Sequence, residues 1–131
     1  TLRDFFLHQP LRISSNLRAV NRELVPMNPA NFLKMAYGDA DGLRELAIDY
    51  FNDTRRLMTH WAALLEAGDF AQLRDELHRC KGGASLFGLE RVVALIGACE
   101  SFDALELRGF DLAGFERELS DAEIAICAMA V

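Results

Sequence analysis

Two separate stretches place apolar residues at alternating steps of three and four: Phe70, Leu73, Leu77, Cys80, Ala84 and Phe87, then Leu112, Phe115, Leu119, Ala122, Ile126 and Met129. A step averaging about 3.5 residues lines such a set along one side of an α-helix, as a seam that must pack against other helices. Two further patterns share this periodicity. One runs from Asp39 or Asp41 to Gly68 and carries Leu43, Leu46, Ala47, Tyr50, Phe51, Leu57, Met58, Trp61, Leu64 and Leu65. The other runs from about Leu89 to Arg108 through Val92, Val93, Ile96, Cys99 and Phe102, with Gly109 as its stop. Gly68 followed by Asp69, and Gly109 followed closely by Asp111, supply a helix stop and then a helix cap. Short connections force long neighbouring helices to run antiparallel. The expected fold is therefore all-α, an antiparallel up-and-down four-helix bundle with a short N-terminal helical extension.

The first 28 residues are the least regular. Ser14 or Ser15 is placed to cap a helix reaching about Leu24, which Val25-Pro26-Met27-Asn28-Pro29 then breaks. Asn28 and Pro29 open a short helix to Tyr37, with Gly38 as its stop. This divides the chain into residues 1–28, an extension or linker, and residues 29–131, the bundle. The start Thr1-Leu2-Arg3-Asp4 does not resemble a signal peptide and lacks an initiator Met, so the sequence reads as a piece of a longer protein.

Composition narrows the function classes. Hydrophobic residues make up 51% of 131 residues, enough to bury a core without metals or disulfides. The net charge of -6 and pI near 5.0 argue against nucleic acid as a partner. Cys80, Cys99 and Cys127 form no CxxC pair, which fits a reducing, cytoplasmic compartment with each thiol serving as a small core residue. No apolar run reaches the roughly 18 residues of a membrane span, so no membrane contact is expected from this fragment.

The second helical pattern carries the candidate chemistry. His78 falls off its apolar seam, on a polar stripe with Arg74, Asp75, Lys81, Gly82 and Ser85. A lone histidine at such a place is ordinarily just a solvated side chain. Its neighbours change that reading. Gly82 and Gly83 fall inside an otherwise confident helix, each at a cost of roughly 1 kcal/mol against alanine, and such local rule-breaking often marks a functional site. Gly82, one turn beyond His78, leaves room for another protein to approach the imidazole. Lys81 supplies a point charge for a phosphoryl group, and a neutral imidazole is a competent nucleophile. Asp75-x-x-His78 resembles half of a carboxylate–histidine metal motif, but it occurs once and on the outer stripe, so no metal site is expected. His8 and His60 have no comparable neighbours, and Arg55-Arg56 reads as a solvated face that could border a partner's footprint.

The run His78-Arg-Cys-Lys81-Gly82-Gly-Ala-Ser-Leu-Phe-Gly88-Leu resembles the signature of histidine-containing phosphotransfer (HPt) domains: a histidine, lysine at +3, glycine at +4, small residues, and glycine at +10. The likeness extends over about residues 32 to 105, including the Gly68-Asp69 turn and a helix ending near Cys99-Glu100. It implies that His78 is a phosphoacceptor bonded through a ring nitrogen, that Lys81 stabilises the phosphoryl group, and that Gly82 gives clearance. It also implies tight packing at Gly88. Cys80 stands where many members carry a branched aliphatic residue, and Gly83 replaces the usual Ala or Ser, adding flexibility beside the site. Expected partners are receiver domains of a response regulator or a hybrid sensor kinase, with Arg74, Arg79, Gly82 and Ser85 at the contact. The receiver would supply its own aspartate and Mg2+, so the domain needs no cofactor, has no kinase activity of its own and is expected to be a monomer. A basic collar agrees with this, since residues 78–91 carry Arg79, Lys81 and Arg91 against Glu90, a net +2. Two other readings stand beside this one: an HPt-like module that docks a receiver or another signalling protein without being phosphorylated, and a bundle that only joins or dimerises larger domains.

Overall fold

The computed structural model describes residues 24–129. The expected extension at 1–28 and its helix from Ser14 or Ser15 therefore fall almost wholly outside the described residues. Among the described residues there are six helices and no strand: α1 Pro29–Ala36, α2 Ala40–Ala67, α3 Phe70–Leu86, α4 Glu90–Glu100, α5 Ala104–Arg108 and α6 Leu112–Ala128. Five of these six starts are written in the sequence. The side chains of Asn28, Asp39, Asp69, Asp103 and Asp111 accept hydrogen bonds from backbone amides of the first turns of α1, α2, α3, α5 and α6.

Helices α2, α3, α4 and α6 close a four-membered ring, α1 leans on α2, and the short α5 leans on α3. Cross-helix contacts give the antiparallel sense. Tyr50 meets Cys80 while Trp61 meets Glu76, and Arg44 meets the end of α6 while Arg55 meets its middle. Both seams point inward: Leu73, Leu77, Cys80 and Ala84 of α3, and Phe115, Leu119, Ala122 and Ile126 of α6, are buried. Trp61 packs edge-on against Phe115, with ring centres 5.4 Å apart, and its indole donates to Glu76 Oε1 at 2.8 Å. No helix of the described residues is long and apolar enough to cross a membrane.

Several details depart from the sequence reading. The expected helix from Leu89 to Arg108 is two helices. Asp103 accepts from the Glu106 amide at 2.8 Å while the Glu106 carboxylate accepts from the Asp103 amide at 3.2 Å, and this capping box starts α5 afresh. Leu46 and Leu57, expected in the core, are exposed, and so is the thiol-bearing Cys127. Arg55 is not a solvated residue. Its guanidinium binds Glu116 at 3.1 Å and Glu123 at 2.8 Å, tying α2 to α6. Arg44 closes the other end of that pair by donating to the Ile126 and Met129 carbonyls. Gly82 and Gly83, by contrast, leave α3 unbroken to Leu86, as the seam running in register to Phe87 implies.

The α3–α4 turn fixes where the polar stripe of α3 lies. Gly88 adopts φ +71°, the Leu89 amide bonds the Ala84 carbonyl at 2.9 Å and the Gly88 amide bonds that of Ser85 at 3.2 Å, a left-handed helix stop. The Asn28 amide donates to the Gly88 carbonyl at 2.9 Å, and a side chain at 88 would place its Cβ 3.2 Å from the Asn28 carbonyl oxygen. We expect Gly88→Ala to lower unfolding free energy by about 1–2 kcal/mol from the left-handed backbone alone. Urea denaturation should show a reduced midpoint at unchanged slope.

Candidate functional site

His78 lies at the centre of α3, on the side away from Leu77 and Cys80, and 71% of its side chain is exposed. Its stripe neighbours Gly82 and Ser85 are also exposed, and a Cβ at Gly82 would meet nothing within 4 Å. No intramolecular packing therefore calls for glycine at 82. The notch beside the imidazole opens to solvent.

The last turn of α4 completes the site. Glu100 Oε1 lies 3.2 Å from His78 Nδ1 and 2.6 Å from Lys81 Nζ, so one carboxylate oxygen joins both residues. The Lys81 ammonium first, and the His78 ring second, hold the Glu100 carboxyl below its ordinary range. An ionised carboxylate only accepts hydrogen bonds, so in this contact Nδ1 is the donor. The neutral ring then keeps its lone pair on Nε2, the nitrogen turned from Glu100.

The remaining expected contact residues divide. Arg74 is half-buried and donates to the Phe102 carbonyl, bracing the α4–α5 corner beneath the site. Arg79 is exposed and makes no ion pair or side-chain hydrogen bond among the described residues. It flanks a cleft of about 380 Å3 between α2 and α3, on the opposite side of α3 from Glu100, with Asp53, Leu57, His60 and Glu76 along its walls. Arg91 does not join the expected basic collar. It lies at the far end of α4, donates to the Leu24 carbonyl at 2.9 Å, and faces Glu118 and Asp121 of α6.

Two of the three cysteines are buried. Burial pushes the Cys99 thiol up to about 12 and also raises that of Cys80, so neither supplies a thiolate at neutral pH. Among the described residues no three His, Cys, Asp or Glu side chains group as metal ligands.

Sequence reasoning missed Glu100 and Tyr50. Glu100 lies 22 residues from His78 and is brought to it only by the turn. Tyr50 explains Gly83, expected to add flexibility. The Tyr50 ring occupies the place where a side chain at 83 would begin, with Cε2 2.5 Å from the would-be Cβ.

A family model described as Hpt domain matches residues 45–125, well over half of the chain and all of α3 and α4. No curated protein and no solved structure matches at a significant level. A four-helix bundle with this signature on an exposed helix face, matched over that span, places the chain in the Hpt domain family, the phosphotransfer modules of two-component phosphorelays.

Proposed function

We propose that His78 is the phosphoacceptor, that its Nε2 takes a phosphoryl group from the aspartate of a receiver domain, and that it passes the group on to a response regulator or returns it. The carrying observation is the shared carboxylate: Glu100 bonds Nδ1 and leaves the outward nitrogen with its lone pair. In the transfer the receiver's aspartyl O–P bond breaks as the Nε2–P bond forms, and the Nδ1 proton stays on the ring. The imidazole gains positive charge in this step, which the carboxylate at 3.2 Å stabilises, as the aspartate of a Ser-His-Asp triad stabilises the imidazolium of its general base. Lys81 begins on Glu100 and is close enough to turn its ammonium toward the incoming phosphoryl oxygens. The domain acts as carrier rather than kinase, and Mg2+ and the acceptor aspartate belong to the receiver.

The docking face centres on His78, Gly82 and Ser85, with unpaired Arg79 on the α2 side to meet an acidic receiver surface. Arg74 supports the site from below. The apolar seams are used within the bundle, which supports a monomer. A free-standing cytoplasmic protein and the C-terminal part of a hybrid sensor kinase are both compatible with this role.

Incubation of the chain with a phosphorylated receiver should give acid-labile, base-stable phosphate on the parent and none on His78→Gln. Equal labelling of the two, or no labelling with any cognate receiver, would rule out the relay role. Glu100→Ala should slow transfer about 5-fold, the rate scale of one lost hydrogen bond, with helicity unchanged by circular dichroism.

The same carboxylate sets a pH dependence. Its value is lowered in the folded chain, so the bridge is complete above the ordinary carboxylate range and is lost as pH falls through the lowered value. In an NMR titration the Glu100 carboxyl should show a midpoint below 4.5, and Lys81→Met should move it upward.

A further inference from the structure

Gly82 and Gly83 adjoin in α3 yet face different surroundings. Gly82 opens to solvent, whereas the position of a Cβ at Gly83 lies 2.5 Å from Tyr50 Cε2 and 2.8 Å from Cδ2. That ring has little freedom to yield. Its hydroxyl donates to the Cys80 carbonyl at 2.7 Å and lies 3.0 Å from the Cys80 sulfur. Its sides meet Phe87 and Phe51, with ring centres 5.5 and 5.8 Å away. Burial raises the Tyr50 pKa, with the Cys80 neighbour adding to the effect, so the hydroxyl keeps its proton and remains a donor.

The Cys80 carbonyl is also the acceptor for the amide four residues on, so Tyr50 fills its second lone pair without displacing the helix bond. The turn clasped in this way holds Lys81, Gly82 and Gly83. Adjacent glycines form helix less readily than any residue except proline, and His78 and Lys81 must keep a common register to share one oxygen of Glu100. The clasp lies on the α2 side of α3, so it steadies the turn while leaving the notch at Gly82 bare.

We propose that Tyr50 is a positioning residue for phosphoryl transfer: its hydroxyl and ring clasp the glycine turn of α3 and hold His78 and Lys81 in register on Glu100. This rests on the reading of His78 as phosphoacceptor. The test uses phosphoramidate, a small donor that needs no receiver. Its P–N bond breaks, ammonia leaves, and the phosphoryl group bonds to the ring nitrogen. Loading of the 131-residue chain is followed by phosphorus NMR, and the His78 ring nitrogens by nitrogen-15 NMR.

Tyr50→Phe keeps the ring and removes the hydroxyl. It should load about 3- to 10-fold more slowly, inside the ~100-fold that a misplacement of about 1 Å can cost, and its Nδ1 and Nε2 shifts should move toward a tautomer mixture. Gly83→Ala should slow loading in the parent, where the methyl meets the ring. In a Tyr50→Ala background the same change should speed loading, because the space is vacant and alanine favours helix. Loss of helicity in Tyr50→Ala leaves Tyr50→Phe and single Gly83→Ala as sufficient tests. Parent rates and parent ring shifts in Tyr50→Phe, even with a lower melting temperature, would make Tyr50 merely structural and overturn the proposal. So would Gly83→Ala loading at the parent rate. Failure of the parent to load at His78 would instead remove the acceptor reading itself.

Discussion

One carboxylate oxygen organises the functional face of this bundle. Glu100 Oε1 accepts from Lys81 and from His78 Nδ1, so it orients the imidazole, makes Nδ1 the donor, and holds a cation one helical turn from His78. None of the three is fully buried, and the helices that carry them are joined by a turn bonded at Gly88 and linked by Arg74 to the Phe102 carbonyl. An exposed pair alone contributes little to stability. Its value here is geometric: with Nδ1 donating to Glu100, Nε2 is the nitrogen left to carry a neutral ring's lone pair.

The two flanks of α3 have different tasks. Toward α4 the surface is closed by the Glu100 bridge. Toward α2 it is open, with a cleft, an unpaired Arg79 and an exposed Leu57. The two glycines divide in the same way. One clears the approach to the imidazole from outside, and the other admits the Tyr50 ring from α2. On the proposed docking role, bulk on the outer face of α3 would obstruct a partner, whereas the Tyr50 ring lies on the α2 side.

Much of the fold was legible in the sequence because the seams of α3 and α6 repeat at helical period and nearly every helix start carries an Asp or Asn cap. Periodicity alone failed on α2. There, two interleaved sets of three- and four-residue steps run side by side, and Leu46 and Leu57 belong to the set that faces outward. The division of α4 from α5 was written in Asp103 and Glu106, a capping pair hidden inside an apolar pattern. Lys81, Gly82 and His78 could be read as one stripe because they share a helix. Glu100 could not, since that contact depends on the antiparallel return. Counting ten residues back and forward from Gly88 brings the residues around 98 opposite His78, and Glu100 is the one carboxylate within two positions of it. Arg91 shows the converse error. A charge summed over a sequence window placed it in a collar, while the helix carries it to the other end of the bundle.

The nitrogen that carries the phosphoryl group tests this account most directly. Phosphorylated chain labelled with nitrogen-15 in its histidine rings distinguishes the two isomers by phosphorus–nitrogen coupling. The geometry requires phosphate on Nε2 of His78, with Nδ1 still protonated and bonded to Glu100. Phosphate on Nδ1, or on a residue other than His78, would contradict it.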